Sequence, residues 1–235
     1  AKYLAQRLPA CHTALYYPLC MAVMVLWPMF LWPATHGMPD AFGLTFAAVI
    51  ALLCADYRFE TLPWPRLLAI FAATFALILT RRWYMFWILA FYAVYVLAVL
   101  VGAVRRKTLG STLKHMLLFG VPSAVIIVGA LLPTFKTILT TDYADIYGAY
   151  YGGGFGNNCL GQLRTQGLIW LVLCAAGLVW LLYCRSTRAQ AIVAAAASLG
   201  AMVLFTRTQS LGDHQSLILA PFYLLMLFGL CAKLT

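Results

Sequence analysis

Three short stretches hold the residues whose types and spacing could do chemistry. The first is 141–158, T-D-Y-A-D-I-Y-G-A-Y-Y-G-G-G-F-G-N-N. On a short helix Asp142 and Asp145 stand three apart and share a face. Tyr143, Tyr147 and Tyr150 follow at helical spacing, and Gly152, Gly153 and Gly154 then break the helix. Carboxylates beside aromatic rings suit a sugar or a lipid-linked head group: the rings cover the apolar faces of a pyranose while the carboxylates accept hydrogen bonds from its hydroxyls. The same pattern also describes an interfacial helix, its tyrosines in the aromatic belt and its aspartates solvated.

The second stretch is Arg81-Arg82-Trp83-Tyr84, squeezed between two apolar runs. Guanidinium groups there could bind a phosphate or diphosphate bidentately. Alternatively they snorkel to lipid phosphates, with Trp83 as an anchor. The third is T-R-T-Q-S-L-G-D-H-Q-S, 206–216, which packs Arg207, Gln209, Ser210, Asp213, His214 and Gln215 between two apolar runs. Arg207 is a candidate for an anionic ligand and His214 for a substrate contact. Asp213 and His214 are chain neighbours and so do not face each other as a dyad. No P-loop, G-x-S-x-G, H-E-x-x-H or dinucleotide fingerprint occurs.

These stretches need a scaffold, and the composition says which kind. Of the 235 residues 64% are hydrophobic and 9% charged, against about 25% charged in a soluble domain. The apolar residues fall in runs at 16–33, 41–56, 67–80, 85–104, 116–132, 167–184, 189–205 and 217–232. The expectation is an all-α, polytopic membrane bundle of about eight transmembrane helices, forming one domain over 1–235. Pro28 and Pro33 should kink or end the first helix, and the runs on either side of Arg81–Tyr84 should form a tight hairpin. Ala189–Met202, rich in alanine, should be a central, closely packed helix.

The formal charge of +10 is scattered over short connectors and carries no basic helix, so nucleic acid is not an expected partner. Alternate connectors hold Lys2, Arg7, Arg58, Arg66, Arg105, Arg106, Lys107, Lys114, Arg185, Arg188 and Lys233 on one side, and Arg81, Arg82, Lys136, Arg164 and Arg207 on the other. The positive-inside bias puts the richer set, and both termini of this chain, in the cytoplasm of an integral membrane protein. The candidate residues then lie on the outer side, where 133–166 is the longest connector. The seven cysteines form no C-x-x-C pair and read as small hydrophobes.

The stretches "RRWYMFW", "DYADIYGAYY" and "RTQSLGDHQ", in that order, resemble polytopic bacterial glycosyltransferases of the GT-C superfamily, of the dolichyl-phosphate-mannose-mannosyltransferase-like kind. The resemblance covers the chain from about residue 60 onward. It implies transfer of a sugar from a polyprenyl-phosphate-linked donor to a glycan or lipid acceptor at the outer face of the bacterial plasma membrane. It also implies an acidic base in the first outer loop, often with a divalent metal; no cofactor is identified from the residues themselves. On this resemblance Arg81, Arg82 and Arg207 become candidates for the donor phosphate, and Asp142, Asp145 and Tyr147 for acceptor or sugar contacts. Asp40, in T-H-G-M-P-D, is the one acid in the first outer connector and a weak candidate for the base. It has no second acidic neighbour, so the expected acidic motif is placed upstream of Ala1. Two other classes stay open: a transporter or flippase, which would carry charged or broken-helix sites near the bilayer midplane, and a non-catalytic membrane subunit.

Overall fold

The computed structural model describes residues 1–8, 12–35, 40–56, 58–81, 83–133, 136, 154–206 and 215–235, and among them every regular element is helical. In chain order they are α1 (Lys2–Ala5), α2 (Thr13–Leu26), α3 (Pro28–Thr35), α4 (Asp40–Leu53), α5 (Trp64–Thr80) and α6 (Tyr84–Arg106). There follow α7 (Leu109–His115), a π-helical turn Met116–Gly120 and α8 (Val121–Ala130), which together form one continuous arm. The rest is α9 (Gly154–Gln166), α10 (Leu168–Tyr183), α11 (Arg188–Thr206) and α12 (Ala220–Leu234), with 3-10 turns at Phe59–Thr61 and Gln215–Ile218.

Each apolar run is helical, but length divides them. Among the described residues Tyr84–Arg106, Leu109–Ala130 and Arg188–Thr206 are long and apolar enough to cross a membrane. A fourth qualifies if α9 and α10, bent by 103° at Gly167, are one broken span. Four further apolar helices are shorter. Trp27 is extended (ψ 120°) between α2 and α3, so Pro28 opens a new helix, where its missing N–H costs nothing.

The core forms where α6, α10, α11 and α12 meet. α10 packs most extensively on α12, and α11 on α6. Ala191, Ala194, Ala197 and Ala201 give α11 a small, buried face, as its composition led us to expect. The hairpin of α5 and α6 is different. Arg81 leaves α5 extended and α6 begins at Tyr84, so the turn is tight, yet the two helices splay and touch little. Period and polarity fix the turn but not the crossing angle of the helices leaving it. The space they leave, closed on its far side by the 109–130 arm, is an apolar groove of about 650 Å³.

One end of the bundle is basic and tied together by the acids it holds. Asp56 pairs with Arg7 at 2.8 Å and with Arg66 at 2.9 Å. The Tyr3 hydroxyl donates to the Ala55 carbonyl, and Gln190 donates to both. Glu60 accepts from Arg106, Thr108 and Thr112 at 3.1–3.3 Å, joining the Phe59–Thr61 turn to α6 and α7. Burial pushes the Glu60 carboxyl up, but its own backbone N–H, the Thr112 hydroxyl and the Arg106 charge outweigh that and hold it below its ordinary value. A lowered carboxyl stabilises the fold above its unfolded value of about 4.3, and that contribution is lost as pH falls through the folded value. Glu60→Gln is therefore expected to flatten the fall in thermal stability below about pH 4; an unchanged acid limb in detergent melts would show that Glu60 adds nothing.

Candidate functional site

The opposite end of the bundle gathers the buried polar groups that the apolar scaffold does not need. Asp40 opens α4 in its first turn, where the helix dipole favours a negative charge. It is 1% exposed, and Arg81 Nη2 lies 3.3 Å from its Oδ2. Neither carboxylate oxygen accepts a hydrogen bond from a described residue. The Tyr84 hydroxyl donates to the Asp40 backbone carbonyl at 2.7 Å. Gly43, one turn on, permits this: a Cβ there would run into the Tyr84 ring. The hairpin turn and the start of α4 are thus locked as a unit. Below them Trp83 and Phe86 meet Phe205 edge-on, and Trp87 stacks between Phe91 and Phe222.

A second polar row comes from α9. Asn158, Gln162 and Gln166, spaced i, i+4 and i+8, all face inward and are 2–3% exposed. Asn158 Nδ2 donates to Thr206 Oγ1 at the end of α11 (2.7 Å), and Gln162 Nε2 donates to Ser216 Oγ (2.6 Å). Gln166 Nε2 donates to Gln162 Oε1 (2.9 Å). The outer face of α9 is mixed: Phe155, Leu160 and Leu163 are exposed there, and so are Asn157 and Arg164.

Of the residues singled out from sequence, the described structure includes Asp40 and Arg81, and it brings them together. Asp40, read as a weak candidate for a base, is covered, and its visible work is to hold Arg81. Arg81 is 32% exposed, so the pair leaves part of the guanidinium facing out of the bundle. Arg82, Asp142, Asp145, Tyr147, Arg207 and His214 lie outside the described residues. Sequence reasoning missed α9, which fell inside the connector 133–166; the signal present was the four-residue spacing of its amides. Gln162→Leu removes the two central bonds of that row and is expected to cost about 1–3 kcal/mol. A melting temperature in detergent equal to the parent's would show that the row adds no stability.

Among the described residues no three His, Cys, Asp or Glu side chains come together, so these residues do not supply a donor set for the divalent metal implied by the resemblance. The six described cysteines are free, four of them buried, and Cys11 lies outside the described residues. Comparison with protein-family models, curated proteins and solved structures gave no match.

Proposed function

We propose that this chain belongs to a membrane-embedded glycosyltransferase that moves a sugar from a polyprenyl-phosphate-linked donor to a glycan or lipid acceptor. In this reading the bundle crosses a bacterial plasma membrane about eight times, the basic end and both termini of the chain are cytoplasmic, and transfer occurs at the outer end. The observation that carries the reading is the set of buried polar groups at that end: the Asp40–Arg81 pair and the amide row of α9 on Thr206 and Ser216. The segments 137–153 and 207–214, which hold Asp142, Asp145, Tyr147, Arg207 and His214 and lie outside the described residues, adjoin α9, α11 and the Gln215–Ile218 turn in the chain. Arg81, Arg82 and Arg207 would hold the donor phosphate. Asp142, Asp145, Tyr147 and His214 would contact the sugar or acceptor. Arg81 suits its part because a guanidinium has five donors and Asp40 engages one edge of it.

A transporter or flippase is the second reading. It is favoured by the 103° break between α9 and α10, the kind of broken helix that transporters place at a substrate path. One experiment separates the classes. The full gene product is reconstituted in vesicles carrying a labelled polyprenyl-phosphate sugar, and transfer and translocation are both measured. Arg82→Ala, Asp142→Ala and Arg207→Ala are expected to lower transfer on the order of a hundredfold each. Full transfer in all three would point to a docking role for these loops. Movement of label across the bilayer without transfer would favour the transporter.

A further inference from the structure

Apart from Thr112, no residue of the arm Leu109–Ala130 is buried, although it is long and apolar enough to cross a membrane. The arm is held at its basic end, where Thr112 bonds Glu60 and Phe119 rests on Phe59 and Trp64. Beyond that point it stands away from α5 and α6, and the groove of about 650 Å³ lies between them. Its walls are hydrocarbon and aromatic, from Ile70 and Ile78 on α5, Ile88 and Tyr92 on α6, and Leu117 and Ala124 on the arm. The hydroxyls of Thr74 and Tyr92 hydrogen-bond each other (2.6 Å). The occupant is therefore apolar where it lies against the walls.

A groove of about 650 Å³ has room for a hydrocarbon chain. The charge at its basic mouth selects the head group. Arg58 adjoins Phe59 and Lys114 adjoins Leu113, both of which line the groove, and Lys107 caps α6 in a left-handed conformation (φ 58°). All three cations are exposed, and none makes an ion pair with a described residue. The two acids of this end are already engaged, Asp56 by Arg7 and Arg66, and Glu60 by Arg106.

We propose that this groove holds a hydrocarbon chain of an anionic diacyl phospholipid whose phosphate is met by Arg58, Lys107 and Lys114 at the basic mouth. The site lies at the other end of the bundle from the polar cluster, and its test reads no sugar transfer. The positive-inside bias by itself would scatter cations over this end without regard to the groove, so position is what the experiment must read.

The purified protein is taken from nanodiscs of equal dioleoyl phosphatidylglycerol and dioleoyl phosphatidylcholine, and its retained lipids are counted by native mass spectrometry. One phosphatidylglycerol is expected to stay with each copy, in strong preference to phosphatidylcholine. Arg58→Gln, Lys107→Gln and Lys114→Gln should each lower that preference about fivefold. Lys2→Gln with Arg185→Gln, at the same end but away from the groove, should leave it unchanged. Ala124→Trp fills the groove without touching a charge and should release the lipid of either head group. The proposal fails if both lipids are retained equally by the parent, if the Lys2 and Arg185 changes act as strongly as the other three, if Ala124→Trp keeps its lipid, or if a second copy of the chain occupies the arm's face in place of lipid.

Discussion

Replacing Arg81 by methionine is expected to cost the folded bundle about 3 kcal/mol at neutral pH, the lower end of what breaking a buried ion pair costs. The carboxylate it abandons is 1% exposed, and no described residue donates a hydrogen bond to either oxygen. Because Arg81 is itself 32% exposed, solvent already screens part of the pair, which argues for the lower figure. Adding Asp40→Asn removes the stranded charge and should restore at least half of the loss. Thermal melts in mild detergent at neutral pH read all three chains. An equal loss in the single and double variants would mean that Arg81 does not act through Asp40.

Asp40 and Arg81 were each legible in the sequence as isolated oddities, an acid and a base on the sparsely charged side. Their pairing was not, because the two are 41 positions apart (81 − 40) and only the packing of α4 against the hairpin brings them together. What could be read was whatever repeats along the chain. Apolar runs interrupted by polar connectors mark helices, since a backbone in hydrocarbon must satisfy its own hydrogen bonds. The alternation of basic connectors marks the two ends, and the Arg7–Asp56–Arg66 and Glu60–Arg106 contacts gather those residues at one of them. Features set by geometry between elements were not readable. The splay of α5 from α6 leaves no trace in either helix's own pattern. α9 was hidden for another reason: its glycines and asparagines have low helix propensity, and Asn158, Gln162 and Gln166 face inward against the usual rule.

Gly177→Ala should be strongly damaging for a single methyl, and Gly177→Val worse. A Cβ at Gly177 would enter the backbone carbonyl of Met226, where α10 and α12 pack most closely. A side chain can turn aside, but a carbonyl within a helix cannot, so the helices themselves must part. In a membrane this matters more than in water, because close packing rather than hydrophobic drive holds neighbouring helices together. Overpacking costs about 1–3 kcal/mol per site, and with a backbone obstacle the upper end is expected for alanine. Two other glycines calibrate the result. At Gly229 the Cβ would meet the Leu181 side chain at 2.6–2.8 Å, which can shift, so Gly229→Ala should lose less. At Gly129 nothing lies within 4 Å, and Gly129→Ala should be close to neutral. Melting in detergent orders the three, and a Gly177→Ala chain as stable as Gly129→Ala would refute the close contact. The consequence reaches the polar end as well. α10 continues through the bend at Gly167 (φ 82°) into α9, so moving α10 off α12 must also pull Gln162 away from Ser216. The Gly177 contact thus sets the register of the amide row, and Gly177→Ala combined with Gln162→Leu should lose less than the sum of the two.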